Sequence, residues 1–314
     1  MNISIVGAGM VGSSIAYASM IKGIVNEINL VDINKELAEG QAMDLKHGNP
    51  YTRPIVINGG GYDLVTGSDI VIVTAGKPQK PGETRLQLLE SNASIMANIV
   101  SEVMKRNKDT ILLIVSNPVD VLTWVAWKKS GLPRDRVFGS GTTLDTARLR
   151  QNIAQHCKLD PRSVHAYVLG EHGDSEIASW STANIGGTPI KSYCKECKKE
   201  DCPGQIALKE IFESTKKAAY QIIQKKGSTC FGIGLAVSRI LEVIAGNQHS
   251  VLTVSTVHNK FDKMINIPFS VPSVVGSRGI ERILPLNISE EEHDKLVNSA
   301  EIIEKAINGI KNSI

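Results

Sequence analysis

Several things the chain does without narrow the field before any motif is read. No apolar run comes near the ~18 residues that a membrane-spanning helix needs, and no repeat or low-complexity tract interrupts the 314 residues. A surplus of charge is missing too. Thirty-five Lys and Arg stand against 32 Asp and Glu, a net charge of +3, too even a balance to recruit nucleic acid or an acidic membrane by charge. No basic segment followed by a hydrophobic stretch comes before the first strand-like residues, Ile3, Ile5 and Val6, so a secretory leader is not expected and a cytoplasmic location is. Cysteine is sparse and odd in number, at five, which fits a reducing compartment better than a disulfide framework. Three of them, Cys194, Cys197 and Cys202, fall in the Lys/Glu-rich stretch 192–204. That spacing would supply three legs of a zinc site. With no fourth Cys and no His nearby, solvated thiols are expected and no metal.

What the chain has is a composition ordinary for a globular protein, 42% hydrophobic and 21% charged, over a length that allows two packed domains. Its organising stretch is the first sixteen residues. A short apolar strand runs into Gly7, Gly9 and Gly12, and an apolar-periodic helix follows through Ile15, Ala18 and Ile21. In a G-x-G-x-x-G turn the first glycine permits the bend, the second admits a pyrophosphate to the backbone, and the third lets helix and strand pack closely. The exposed N–H groups and the dipole at the helix start favour the anion. A second strand, Ile28 to Asp32, ends in a carboxylate twenty residues after Gly12. There it would grip the adenosine ribose hydroxyls and repel a 2′-phosphate, so NAD is the expected cofactor.

Unbroken apolar runs recur at 55–57, 70–73 and 111–115, with helical patterns at 35–46, 83–106 and 119–129 between and after them. This is the alternation of a Rossmann-type, doubly wound parallel sheet in an α/β protein, with ligands bound beyond the carboxyl ends of the strands. The segment after 70–73, Thr74 to Arg85, holds two prolines, two glycines and several charges. It reads either as a plain solvated connection or as a lid that brings Gln79 and Arg85 to a substrate. After 111–115 comes Ser116-Asn117-Pro118, a turn former or an amide presented to the ligand. Small residues near Gly139 suggest a boundary between a cofactor domain, 1–140, and an α+β catalytic domain, 141–314.

The second domain opens on a helix over 144–157 carrying Asp145 and Arg148, whose i, i+3 spacing puts them on one face. A surface ion pair satisfies that spacing equally well. A strand over 164–169 then delivers Gly170-Glu-His-Gly-Asp-Ser-Glu176, with His172 between glycines and able to stand clear of the backbone. Helical patterns at 205–226 and 231–245 follow, then antiparallel-looking strands at 251–257, 269–275 and 279–286. A last helix enters through the capping box Ser289-Glu-Glu-Glu292.

Three segments together, Gly76-Lys-Pro-Gln-Lys-Pro-Gly-Glu-Thr-Arg85, Gly139-Ser-Gly-Thr-Thr-Leu-Asp-Thr-Ala-Arg148 and Gly170-Glu-His-Gly-Asp174, resemble the bacterial-type, NAD-dependent L-lactate dehydrogenases of the lactate/malate dehydrogenase family. The similarity runs over nearly the whole length. It implies that His172 is the general acid/base, that Asp145 fixes its tautomer, and that Arg148 holds the substrate carboxylate. Arg85 would polarise the carbonyl, Asn117 would orient substrate and nicotinamide, and the Asn117–Pro118 bond would be cis. The cofactor contacts it implies are Gly7, Gly9, Met10, Val11, Gly12, Asp32, Thr74, Ala75, Gly76 and Asn117. Gln79, where malate dehydrogenases typically have Arg, and Thr229, which limits the pocket, both favour pyruvate and L-lactate over malate.

The resemblance further implies a homotetramer and a place in glycolysis and fermentation. It also implies activation by fructose 1,6-bisphosphate at Arg150 and His165. Arg150 lies two residues past Arg148, about 200° away around a helix. Malate dehydrogenase is the nearest alternative. A nicotinamide- and manganese-dependent glycosidase would be longer and would need a Cys–His metal pair.

Overall fold

The computed structural model describes residues 1–77, 84–196 and 204–311. The first half alternates as its apolar runs predict: β1 (Asn2–Val6), α1 (Met10–Lys22), β2 (Glu27–Val31), α2 (Lys35–His47), β3 (Val56–Gly60), β4 (Ile70–Val73), α3 (Arg85–Arg106), β5 (Ile111–Ile114), α4 (Val119–Ser130) and β6 (Val137–Gly139). The second half contains α5 (Thr143–Cys157), β7 (Val164–His165), β8 (Val168–Leu169), β9 (Ile177–Ala178), β10 (Asn184–Ile185), β11 (Thr188–Pro189), α6 (Ile190–Glu196), α7 (Gln205–Lys226), α8 (Phe231–Ala245), β12 (Ser250–Phe261), β13 (Met264–Gly276), β14 (Gly279–Ile283) and α9 (Glu290–Ile310).

β3, β2, β1, β4, β5 and β6 lie side by side in that order, all parallel. The order reverses between β1 and β4, and the crevice beyond their carboxyl ends is where such sheets bind ligands. Every residue of β4 and β5 is buried. Helices cover both faces, and two separate apolar clusters result, one holding Val71, Val73, Leu112 and Ile114 and the other Ile3, Ile5, Ile70 and Ile72.

The sheet does not end at the boundary read from the sequence. β12 pairs antiparallel with β6, Ser255 opposite Gly139 and Thr256 opposite Phe138, and β13 and β14 extend it further. Among the described residues this makes one sheet of nine strands shared by both halves. A third apolar cluster, around Leu149, Ile153, Val164 and Val168, belongs to the second half alone.

Local boundaries differ from the sequence reading in two places that matter. The expected strand over 164–169 is two short strands in different sheets, with Ala166 and Tyr167 between them. β7 pairs with β10, and β8 pairs with β9. The helix expected from Glu83 has Thr84 as its N-cap, in extended conformation, with its hydroxyl accepting from the Gln87 amide and the Gln87 side chain returning to the Thr84 amide. That reciprocal cap fixes Arg85 as the first helical residue.

Candidate active site

At the crevice the three glycines of the first turn meet different demands. Gly7 has a φ of +111°, and a Cβ there would stand 2.7 Å from the Ala75 amide nitrogen. A Cβ on Gly12 would lie 1.9 Å from the Gly7 carbonyl oxygen. The fold itself requires both. Gly9 is exposed, has an ordinary φ of −72° as the N-cap of α1, and a Cβ there would meet nothing within 4 Å. Bare backbone at a helix start, with no packing reason to be bare, suits the close approach of a pyrophosphate. Met10 is exposed and Val11 half-buried beside it.

The loops that end β2 and β4 close around this turn. Asp32 accepts the Ala8 amide on Oδ2 at 2.8 Å and the Asn34 amide on Oδ1 at 2.9 Å. Its carboxylate is thereby fixed beside the glycine turn, where a ribose would lie. Thr74 donates its hydroxyl to the Gly7 carbonyl at 2.9 Å, and the Ala75 amide donates to the Val6 carbonyl at 3.0 Å. Thr74, Ala75 and Gly76 therefore line the same crevice edge as the turn.

Asn92 is a positioning residue that the sequence reading passed over. It is buried on α3, accepts the Lys77 amide at 2.8 Å and donates to the Lys77 and Asn117 carbonyls, each at 3.3 Å. One amide side chain thus ties the loop after β4 to the loop after β5. Asn117 is exposed at the end of that second loop, and its bond to Pro118 is cis.

His172 stands in the loop joining β8 to β9, and that loop is anchored to three elements. Gly170, with a φ of +90°, exchanges two backbone hydrogen bonds of 2.9 Å with Ser270 of β13. The Glu171 amide donates to the Ser299 hydroxyl of α9 at 2.9 Å, and the His172 amide donates to Asp120 Oδ2 of α4 at 2.7 Å. The His172 ring then reaches Asp145, in the first turn of α5, with Nδ1 2.6 Å from Oδ2. A carboxylate can only accept, so Nδ1 carries the hydrogen and Nε2 is left to exchange a proton. Arg148 takes the other oxygen, Nη1 to Oδ1 at 2.9 Å. The pair that spacing alone left open is therefore a triad of half-buried His172 and Arg148 on the buried carboxylate of Asp145, not a surface ion pair.

The electrostatics follow from that burial. Burial disfavours the Asp145 carboxylate, but the imidazole and the guanidinium together hold it below the usual range. For His172, burial alone would lower the pKa. The charge and hydrogen bond of Asp145, with Asp120 and Glu176 adding to them, carry it up to about 9. Burial raises Asp120 to about 6, and its Oδ1 has no partner among the described residues. Asp120 was also missed from sequence. The available signal was an aspartate between Val119 and Val121, two residues after Pro118, in the first turn of a helix whose span 119–126 holds one other polar residue, Thr123.

The other expected residues are placed less completely. Arg85 begins α3, and Thr229 is half-buried in the connection between α7 and α8. Gln79 lies outside the described residues. Arg150 lies over the Tyr167 ring at 5.0 Å and donates from Nε to the Ala166 carbonyl at 2.9 Å. That carbonyl is one residue past His165, which is exposed. Of the cysteine cluster, Cys194 is half-buried in α6, packed against the third apolar cluster, while Cys197 and Cys202 lie outside the described residues. Asp145, His172 and Glu176 bring ligand atoms within 4.8 Å of one another. The Arg148 cation, already on the same carboxylate, opposes a second positive charge there.

Comparison with known proteins agrees over the full length. Residues 1–139 match the lactate/malate dehydrogenase NAD binding domain, and residues 142–314 match the lactate/malate dehydrogenase alpha/beta C-terminal domain. An L-lactate dehydrogenase of Kosmotoga olearia is 66% identical over 311 residues, 99% of this chain and 96% of that protein. One of Acetivibrio thermocellus is 48% identical over 97% of this chain and 96% of its own length. Among solved structures, a lactate dehydrogenase from a Medee basin deep-sea metagenome library superposes with a TM-score of 0.96 at 43% identity, covering 99% of this chain and 98% of that one.

Proposed function

The chain belongs to the lactate/malate dehydrogenase family as an NAD-dependent L-2-hydroxyacid dehydrogenase of the L-lactate type, and on that premise we propose that His172 is the group that moves the proton. The observation carrying this reading is the contact of 2.6 Å between Nδ1 and the Asp145 carboxylate, with Arg148 on the other oxygen. Asp145 keeps the imidazole in one tautomer and stabilises its protonated form, so Nε2 presents a proton to the substrate oxygen. In pyruvate reduction Nε2 gives that proton up, and in lactate oxidation it receives it. The nicotinamide, when bound, supplies or accepts the hydride.

Arg148 holds the substrate carboxylate through the face of its guanidinium not turned to Asp145, a planar fork that Lys could not reproduce. Arg85 polarises the carbonyl, Asn117 orients substrate and nicotinamide, and Gln79 and Thr229 shape the pocket for pyruvate. These assignments rest on the resemblance of the surrounding motifs. Gly7, Gly9, Met10, Val11, Gly12, Asp32 and Thr74 to Gly76 form the cofactor cradle, with a cofactor half over 1–140 and a catalytic half over 141–314.

The same reading makes fructose 1,6-bisphosphate an activator at Arg150 and His165. Its support is the Arg150 contact to the carbonyl adjoining His165, which puts a cation and an exposed imidazole on neighbouring backbone. A homotetramer in the cytoplasm, serving glycolysis and fermentation, completes it. In favour of self-association, Met10, Tyr17, Ile21, Phe231 and Leu235 form an exposed apolar face on α1 and α8.

The test is NADH oxidation with pyruvate and with oxaloacetate, side by side, for the wild type and for His172→Ala. Pyruvate is expected to be the better substrate, and the variant is expected to lose roughly 10²–10⁴ in turnover while still binding NADH. Near wild-type turnover in the variant would refute the role of His172.

A further inference from the structure

Glu176 sits beside the catalytic pair and is not used by the scheme above. It follows His172 in the same β8–β9 loop and is 5% exposed. One of its carboxyl oxygens lies within 4.8 Å of both the Asp145 carboxylate and a ring nitrogen of His172. Oε1 has no hydrogen-bond partner among the described residues. An acid buried with an unpaired oxygen is costly to keep, and an apolar residue of similar size would avoid the cost. Packing therefore does not explain why an acid stands here.

We propose that Glu176 is a positioning residue for the His172–Asp145 pair, a carboxyl whose negative charge widens the pH range over which His172 keeps its proton. The proposal rests on the acid/base reading of His172. The groups that face Glu176 come from several elements. Asp145 and Arg148 reach it from α5, Lys216 from α7, and His172 from its own loop, with Asp120 of α4 behind the imidazole. An adjoining cavity of about 700 Å³ is lined by Glu176 together with Lys191 of α6, Lys209 and Glu213 of α7, and Glu291, Glu292 and Lys295 of α9, with Asp174 of its own loop.

Burial and the nearby Asp145 charge disfavour the ionised form of Glu176. His172, Lys216 and Arg148 favour it without prevailing, and its pKa rises to about 8. At neutral pH the carboxyl therefore keeps its proton and adds no charge. As the pH climbs, the O–H releases its proton to water. The carboxylate then appears within 4.8 Å of the imidazolium, in the range where His172 would otherwise begin to lose its own proton. An opposite charge at such a distance raises the pKa of a histidine by about one unit or more.

The decisive experiment follows the titration of His172 in the apoenzyme by NMR with ¹³Cε1-labelled histidine, using His172→Gln to assign the signal among the seven histidines. The wild type is compared with Glu176→Gln, and pH profiles of kcat for pyruvate reduction are recorded in parallel. The titration is expected to fall by about one pH unit in Glu176→Gln, and the alkaline limb of the rate profile to fall with it. An unmoved titration would overturn the proposal. So would a loss of turnover equal at every pH with the titration unchanged, because that is a structural effect. A shifted titration with an unmoved rate limb would support the coupling and refute the acid/base role of His172 instead. Glu176→Met, similar in volume and without charge, is expected to give the same shift and serves if the Gln variant does not fold.

Discussion

Gly9→Ala is expected to leave the protein folded and to cost it the cofactor, whereas Gly12→Ala is expected to damage the fold. The two methyl groups enter different surroundings. At position 12 the Cβ would sit 1.9 Å from the Gly7 carbonyl oxygen and 3.1 Å from the Thr74 hydroxyl. The first distance is more than about 1 Å inside an ordinary non-bonded contact, and the obstacle is backbone, not the end of a flexible side chain. Helix α1 would have to move off β1, and overpacking of this kind costs about 1–3 kcal/mol. At position 9 the Cβ meets nothing within 4 Å and the φ of −72° suits any residue. Ala is a poorer N-cap than Gly by up to about 1 kcal/mol. The lower entropy of the unfolded chain offsets about 0.4–1 kcal/mol of that, so the net change in stability is expected within about 0.5 kcal/mol. The methyl nevertheless stands where the pyrophosphate approaches, and a loss of at least tenfold in NADH affinity, ~1.4 kcal/mol, is expected. Thermal unfolding without ligand measures the first quantity and calorimetric titration with NADH the second. Wild-type NADH affinity in Gly9→Ala would refute the assignment of this turn to the cofactor. A Gly12→Ala variant as stable as the wild type would refute the packing argument.

Three further outcomes are expected. His258 is buried, stacked on Phe269 at 3.9 Å between ring centroids, and burial lowers its pKa from 6.5 to about 4. Above pH 6.5 the imidazole is neutral in both the folded and unfolded states. Below it the unfolded chain gains the proton first, so stability falls with pH, by about 2 kcal/mol at pH 5 from this group alone. Melting curves of His258→Phe between pH 7 and 5 should therefore show a shallower acid decline than the wild type, and parallel declines would refute the assignment. Gln79→Arg is expected to raise the preference for oxaloacetate over pyruvate by roughly 10²-fold or more, because a second carboxylate buried without a partner costs several kcal/mol. An unchanged ratio of kcat/KM values would remove Gln79 from the pocket. Millimolar fructose 1,6-bisphosphate should lower the apparent KM for pyruvate, and Arg150→Gln should abolish the effect. Activation that survives in that variant would put the effector elsewhere.

What the sequence made legible, and what it hid, divides along a physical line. The parallel strands were readable because burial on both faces leaves an unbroken apolar run, and the glycine turn because its spacing is set by contacts within one βαβ unit. Ser289 and Glu292 announced the start of α9 because a capping box closes within four residues. The antiparallel join of β12 to β6 was not readable. It pairs Thr256 with Phe138 across more than a hundred residues, and nothing in either strand names its partner. The split between β7 and β8 has the same origin, since Val164 and Val168 look alike in sequence but pair with different strands.

The site shows the rule at the level of single side chains. Asp145 and Arg148 share a helical face, so their spacing raised the question of a pair, but only the arrival of His172 on the same carboxylate makes that pair chemical. Asp120 is a lone polar residue between Val119 and Val121, whereas Asn92 and Glu176 lie in the polar stretches 90–92 and 174–176, and sequence alone does not say what each one faces. In the fold each is buried, and each touches or borders a group that holds the substrate cleft together. Burying a polar group without a return is costly, so a polar residue interrupting an apolar pattern is itself the signal, and it can be used before a structure exists. Applied to α4, that rule selects Asp120 from the buried residues between positions 119 and 126, where Thr123 is the one other polar residue and donates to the Val119 carbonyl of its own helix. Asp120 instead leaves its helix to hold the amide of His172, which is what separates a polar residue that serves the site from one that serves the helix.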